Sequence, residues 1–349
     1  MEHSARNREA GCVPGKGKTG MARRRLLLGS SALLTLIPVR LFAGGLKADE
    51  TVLFLPTYAR RTGDSVEVNI SAWVFEFERR PGARTAFLKL LDVDLTSPEA
   101  EAIFAARSRW FLTDSERGKE LTVTFEDGSA ATLPATSRAG RSETSLRMNA
   151  PSAPAIRFHT RRNGDDGEIF TGIAHIVGET GLSVVSDIDD TIKISNVVDT
   201  RALLRDSLIK PFAAAPGMAA LYRDLAQKSG TSFHYLSSSP IQLLPALSGF
   251  LEAEGFPPGS MHLRESTAWN SLIPASGGNA PHKSAMLARL LADFPQRSFL
   301  LIGDSGEQDP EIYGEAARAH PGRDIRILIR RAGGSPATEA RFASAFDGV

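Results

Sequence analysis

Three apolar runs in the C-terminal half of this 349-residue chain end in residues able to do chemistry. Leu182 to Val185 leads into Asp187-Ile188-Asp189-Asp190-Thr191, Phe233 to Leu236 into Ser237-Ser238-Ser239, and Phe299 to Ile302 into Gly303-Asp304-Ser305-Gly306-Glu307-Gln308-Asp309. Lys283 stands at the start of a helical pattern between the last two. If the runs are strands of one parallel sheet, these groups meet beyond its carboxyl edge, where such sheets bind ligands. Six carboxylates (Asp187, Asp189, Asp190, Asp304, Glu307 and Asp309) cannot all stay ionised that close together. The cluster therefore implies a bound divalent cation, and a donor set of oxygens without His or Cys favours Mg²⁺. A carboxylate beside that ion can attack phosphorus and form an aspartyl-phosphate. A second carboxylate two residues on, Asp189, can protonate the leaving oxygen and then activate water. A Ser hydroxyl and a Lys ammonium can hold the phosphoryl oxygens. Each residue alone has a plainer reading: Asp189 or Asp190 as a turn former, Ser237 as a helix cap, Lys283 as a solvated helix residue. Their joint order, each at a strand end or helix start, is what points to chemistry.

The elements that must position them are well marked. Apolar runs of four or five residues, with Ile325 to Ile329 as a fourth, read as strands buried on both faces of a parallel sheet. Between them lie helical patterns: Met218 to Lys228, stopped at Gly230; a helix capped by Ser239-Pro240 that carries Leu243, Leu244, Leu247, Phe250 and Leu251 and ends at Gly255; and Lys283 to Asp293.

From Thr51 to about Val177 the grammar differs. Val66, Val68 and Ile70 alternate with polar residues, as do Leu121, Val123 and Phe125 before an Asp127-Gly128 turn, so hairpins are expected. Ile156 and Phe158 precede an Asn163-Gly164 turn, with Ile169 to Val177 as the returning partner. One helix interrupts, with Ser97 as cap, Pro98 in first position and Glu99 and Glu101 in the first turn. This is the pattern of a β-sandwich-like domain of six or more strands. The basic stretch Arg157 to Arg162 reads as the solvated face of a hairpin.

Residues 1–48 carry nine Lys/Arg against Glu2 and Glu9, a charge of +7, which against the chain's net +1 leaves −6 on the other 301 residues. An acidic body argues against nucleic acid as partner, since polyanion binding relies on Lys/Arg neutralising phosphates. It also opposes docking on an anionic bilayer unless the charge is segregated. The only cysteine is Cys12, so the body has neither a disulfide framework nor a thiolate metal site. Arg23-Arg24-Arg25 followed by uncharged, mostly apolar Leu26 to Val39 resembles a twin-arginine or general secretory signal, too short and too polar to span a bilayer. The expected organisation is a leader over 1–48, a β-sandwich-like domain over 49–178 and an α/β catalytic domain over 179–349, exported and periplasmic.

Asp187-x-Asp189-x-Thr191, Ser237, Lys283 and Gly303-Asp304-x-x-x-x-Asp309 resemble the four motifs of the haloacid dehalogenase (HAD) superfamily of phosphatases. More narrowly, S-D-I-D-D-T-I-K-I-S at 186–195, F-H-Y-L-S-S-S-P at 233–240 and F-L-L-I-G-D-S-G-E-Q-D-P-E-I-Y at 299–313 resemble the catalytic domain of the actin-patch phosphatidate phosphatases, over about residues 181–331. The resemblance implies a HAD-like Rossmannoid fold with Asp187 as nucleophile and Asp189 as general acid/base. It further implies Thr191, Ser237 and Ser238 at the substrate and Lys283 as the motif-three cation. Mg²⁺ would be held by Asp187, Asp304, Asp309 and the backbone carbonyl of Asp189. Ser238 departs from the family, where Asn is common. Only about forty residues separate the first two motif strands, too few for a large cap, so the open site suits a bulky phosphomonoester such as phosphatidate at a membrane surface, or a non-lipid one. A binding or adhesion protein with a relict phosphatase fold is the reading from another class; the intact acid, base, lysine and metal residues speak against it. A hydrolase using Ser305 has neither the G-x-S-x-G elbow nor the right fold context.

Overall fold

The computed structural model describes residues 44–78, 81–93, 95, 97–162, 167–195, 200–265, 280–331 and 339–349. Most of the leader, Cys12 included, and the Asn163-Gly164 turn lie outside them. The described residues form a mixed α/β protein with two sheets. Nine strands form the first: β1 (Glu50–Phe54), β2 (Thr57–Thr62), β3 (Ser65–Phe77), β4 (Thr113–Ser115), β5 (Thr122–Phe125), β6 (Ala130–Thr132), β7 (Arg141–Asn149), β8 (Ala155–Arg161) and β9 (Ile169–Val177). Hydrogen bonding links them in the order β1-β3-β2-β9-β8-β5-β6, with β4 and β7 also on β3, and every pair is antiparallel except β2 with β9. The period-two segments became strands as expected: β3 buries Val66, Val68 and Ile70, and Gly128, at φ 81°, supplies the left-handed turn between β5 and β6. On β8, Arg157 and Arg161 are exposed between buried Phe158 and Thr160, as a solvated hairpin face requires.

Two helices, where one was expected, leave this sheet: α1 (Ala83–Leu91) and α2 (Pro98–Ser108). Ser97 caps α2, its Oγ accepting from the Ala100 amide at 3.1 Å, and Pro98 occupies the first turn. No side chain caps α1, which begins after the left-handed Gly82, so no cap signal announced it.

The second sheet holds β10 (Leu182–Ser186), β11 (Ser232–Pro240), β12 (Ser260–Arg264), β13 (Ser298–Asp304) and β14 (Ile325–Arg330), all parallel in the order β12-β11-β10-β13-β14. Its helices are α3 (Thr200–Ile209), α4 (Met218–Ala226), α5 (Leu244–Ala253), α6 (Ala280–Asp293), α7 (Asp309–Ala319) and α8 (Glu339–Ala345). Among the described residues, no helix is long and apolar enough to cross a membrane. Two local expectations fail. Ile325 to Ile329 is not buried on both faces, because β14 is an edge strand with no buried residue and with Leu328 46% exposed. Ser239-Pro240 is not a helix cap, because β11 continues through Pro240, a 3₁₀ turn follows, and α5 starts at Leu244.

The two sheets share their cores. Trp73, Phe75, Phe87 and Phe104 from the first region pack in one cluster with Val184, Tyr222 and Tyr235 from the second. Tyr58 of β2 joins Val185, Leu287 and Phe294 in another, and its hydroxyl donates to Asp293 of α6. Arg107 of α2 donates to the carbonyls of Ser207 (2.6 Å) and Lys210 (2.8 Å), holding the end of α3. The joint between β9 and β10 is fastened by Arg297, 2% exposed, whose guanidinium donates to the carbonyls of Gly178, Thr180, Leu182 and Gly230 and to Ser183 Oγ. Through these contacts the N-terminal region braces α3 and α6, both of which border the site.

Candidate active site

Asp187 follows the buried end of β10, its amide donating to the Ile302 carbonyl of β13 at 2.9 Å. The chain then turns sharply. The amides of Ile192 and Lys193 both return to the Ile188 carbonyl, and Asp190 takes φ 51°, a left-handed conformation that aspartate tolerates better than most residues. The turn brings Thr191 back so that its hydroxyl donates to Asp187 Oδ2 at 3.0 Å. From behind, Tyr222 donates to Ser186 Oγ and Ser186 to the Asp187 carbonyl, both at 2.6 Å.

Lys283, in the first turn of α6 and 1% exposed, reaches Asp187 Oδ1 (2.8 Å), Glu307 Oε2 (2.9 Å) and Asp309 Oδ1 (2.6 Å). Asp304 ends β13 and Asp309 begins α7. Gly303, the residue before Asp304 in β13, must be glycine, since a Cβ there would collide with the Asp309 carboxylate. Asp304 Oδ1 accepts from the amides of Gly306 (2.5 Å) and Glu307 (3.3 Å). Its Oδ2 is buried with no hydrogen-bond partner among the described residues.

One ammonium thus faces four carboxylates. Burial, then the Asp309 carboxylate, push Asp304 up to about 7. Burial also holds Asp187 well above the ordinary carboxylate range and raises Asp309, although Lys283 pulls both down. Burial alone would lower Lys283, but Asp187, Asp309 and Glu307 outweigh it and hold its ammonium well above the usual range. Ligand oxygens of Asp187, Asp304 and Asp309 all lie within 4.8 Å of one another. An all-oxygen trio with an orphaned buried oxygen and a charge deficit fits a hard divalent cation.

The six carboxylates do not all converge. Asp190 closes the turn, its Oδ1 accepting from the Ser195 amide at 2.8 Å. The Asp189 carboxylate sits apart from the trio, in an ion pair with Lys193 (2.5 Å), and accepts from Ser195 Oγ (3.1 Å) and Ser239 Oγ (2.8 Å). Burial would raise Asp189, but Lys193 and the two hydroxyls win and hold it below the usual range. Ser237, fully buried, accepts from the Ser239 amide at 3.0 Å and lies 3.5 Å from Asp189 Oδ2; Ser238 donates to Glu307 Oε2 at 3.3 Å. Ser305 is buried, with its amide on the Arg330 carbonyl, and is no exposed nucleophile. Sequence reasoning missed Lys193, Ser239 and the Tyr222–Ser186 pair. Lys193 stood inside the motif as quoted; Tyr222 carried no signal, being a helix residue brought in by packing.

Residues 182–331 match the family described as phosphatidate phosphatase APP1, catalytic domain. The Saccharomyces cerevisiae protein named phosphatidate phosphatase APP1 is 37% identical over 161 residues, 45% of this chain and 27% of the yeast protein. An uncharacterized protein of Schizosaccharomyces pombe is 34% identical over 161 residues, 44% of this chain and 26% of its own length. The alignments therefore span about a quarter of these relatives. Among solved structures, a carbohydrate esterase chain aligns over 80% of this chain and 88% of its own at 10% identity, with a TM-score of 0.23, which is too low to bear on fold or site. The matched segment, 182 to 331, carries every site residue described above.

Proposed function

We propose that this protein is a Mg²⁺-dependent phosphatase that releases phosphate from phosphatidate through an aspartyl-phosphate on Asp187. The observation that carries the reading is the Asp187 carboxylate, fixed by Thr191 and Lys283, beside the orphaned Asp304 oxygen. Asp187, Asp304 and Asp309 would hold the cation, together with the carbonyl of Asp189. When bound, Mg²⁺ would neutralise charge on the phosphoryl oxygens and keep the nucleophile ionised.

Asp187 attacks phosphorus, the bond to the leaving oxygen breaks, and Asp189 hands that oxygen a proton. Because Lys193 keeps Asp189 ionised at rest, the proton arrives with the substrate, whose second ionisation lies near pH 6. Asp189 then takes a proton from the water that hydrolyses the acyl-phosphate. Ser237 and Ser238 border the phosphoryl position, and Lys283 holds Asp187 and Asp309 in place. The finer architecture belongs to the same proposal: a HAD-like Rossmannoid domain over 179–349, a β-sandwich-like domain over 49–178, and an export signal over 1–48 that delivers the protein to the periplasm, where phosphatidate is met at a membrane surface.

The test is phosphate release by the leaderless protein from phosphatidate, sugar phosphates, nucleotides and phosphopeptides, with Mg²⁺ or with EDTA. Preference for phosphatidate that EDTA abolishes is expected. Release confined to soluble substrates would move the reading to a non-lipid phosphomonoester, and no release from any of them would refute it.

A further inference from the structure

Each of the two reacting carboxylates has a lysine of its own. Lys283 pairs with Asp187 at 2.8 Å and Lys193 with Asp189 at 2.5 Å, and among the described residues no other cation pairs with either. Lys193 does more than balance a charge, because it binds one oxygen of Asp189 and not the other.

The turn fixes its backbone, the amide donating to the Ile188 carbonyl at 2.9 Å and the carbonyl accepting from the Asp190 amide at 2.8 Å. Its side chain folds back along that turn to the residue four before it. The ammonium, 3% exposed, is surrounded by Asp189 Oδ1, by Ser195 Oγ at 2.9 Å and by the ring of Phe212, 4.9 Å to the centroid. Three neighbours match its three N–H donors. Ser195 Oγ also donates to Oδ1, at 3.1 Å, so lysine and serine grip the same oxygen. Oδ2 meets only hydroxyls: Ser239 donates to it at 2.8 Å, and Ser237, which borders the phosphoryl position, lies 3.5 Å away. A buried ion pair holds its oxygen harder than a hydroxyl does. Oδ1 is therefore the anchored oxygen, and Oδ2 the one that can exchange its partner.

We infer that Lys193 is a positioning residue that clamps Asp189 by Oδ1, together with Ser195, so that Oδ2 is the oxygen that passes the proton to the leaving group. Lys193 itself touches neither the substrate nor the reacting atoms. The inference rests on the phosphatase reading above and assigns what aims the acid in it.

The test measures how Lys193→Met, Ser195→Ala and Asp189→Asn in the full-length protein change kcat/KM, which reports phosphoenzyme formation, for phosphatidate in detergent micelles and for p-nitrophenyl phosphate. An alkoxide leaving group needs the proton acutely, a nitrophenolate hardly at all. Asp189→Asn should therefore depress the phosphatidate value far more than the nitrophenyl one. Lys193→Met should reproduce that imbalance, with a loss of about a hundredfold for phosphatidate, the scale of a catalytic group displaced by about 1 Å, and about threefold or less for the nitrophenyl ester. In the Asp189→Asn background Lys193→Met should cost nothing further, since the group it positions is gone. Ser195→Ala leaves no buried charge unpaired; it should show the same imbalance at about fivefold, the scale of one hydrogen bond, and carries the test if Lys193→Met does not fold.

Losses that are absent, or equal for both substrates, in a folded Lys193→Met or in Ser195→Ala would overturn the inference by making the pair a support of the turn, and would leave the phosphatase reading intact. A further large loss in the double variant would overturn it too. An Asp189→Asn variant that loses both substrates equally, or a wild type that releases no phosphate, refutes the acid in the underlying reading, and the inference falls with it.

Discussion

Glu50 and Lys119 in the N-terminal region are buried nearly as deeply as Asp187 and Lys283 in the parallel sheet, yet the two clusters balance differently. Around Glu50 the count closes: Lys119 lies 2.6 Å and Lys47 3.4 Å from it, Glu116 approaches both lysines, and Glu50 stays below its ordinary range although burial opposes this. Around Asp187 it does not close, with one lysine against Asp187, Glu307 and Asp309, and Asp304 pushed to about 7. A network that only holds a fold neutralises itself, because each unpaired buried charge is costly. A network left acid-rich needs something that arrives later.

The contrast can be broken most sharply at its two carboxylates. Asp187→Asn should lower turnover by about 10⁵-fold, the scale of losing a covalent nucleophile. Its melting temperature should hold or rise, because Lys283 keeps Asp309 and Glu307 while one crowded charge disappears. A large drop in stability would make the site a structural network after all. Glu50→Gln should do the opposite: a loss of about 3–5 kcal/mol in urea unfolding, as for a broken buried ion pair, with kcat unchanged in the folded fraction. Altered kcat at full stability would show that the N-terminal cluster is not purely structural.

A smaller effect separates the clusters by pH. Asp304 has a folded pKa of about 7, above its ordinary value of 3.8, so its ionisation counts against the fold. Stability it confers is fully present below the ordinary value and is lost as pH rises toward 7, by about 1.4 kcal/mol per pH unit, levelling beyond. The difference between wild type and Asp304→Asn in EDTA should show this slope, and millimolar Mg²⁺ should remove it. Glu50, shifted down, contributes stability of the other sign, lost only as pH falls below the carboxylate range. A wild-type minus Asp304→Asn difference that is flat with pH would contradict the charge deficit.

The parallel sheet was legible because its central strands are short, mostly apolar runs that stop at polar residues. β12 was not: Ser260-Met261-His262-Leu263-Arg264 alternates as an edge strand, without a run to mark it. Ser239-Pro240 has the composition of a helix cap, yet its hydroxyl is drawn to Asp189 and its backbone stays extended. Lys193 shows the same limit. Its place in the motif was visible, but its pairing with Asp189 depends on the turn through Asp190. The shared cores were beyond reach, since no local pattern says that Phe75 and Tyr235 will pack together.

The most direct measurement of the central claim is a rapid-quench incubation of the protein with phosphatidate labelled in its phosphoryl group, in Mg²⁺, followed by peptide mapping. Label should appear on the peptide containing Asp187, only with Mg²⁺, and be absent from Asp187→Asn. Full phosphate release by Asp187→Asn, or label on any other residue, would contradict the account.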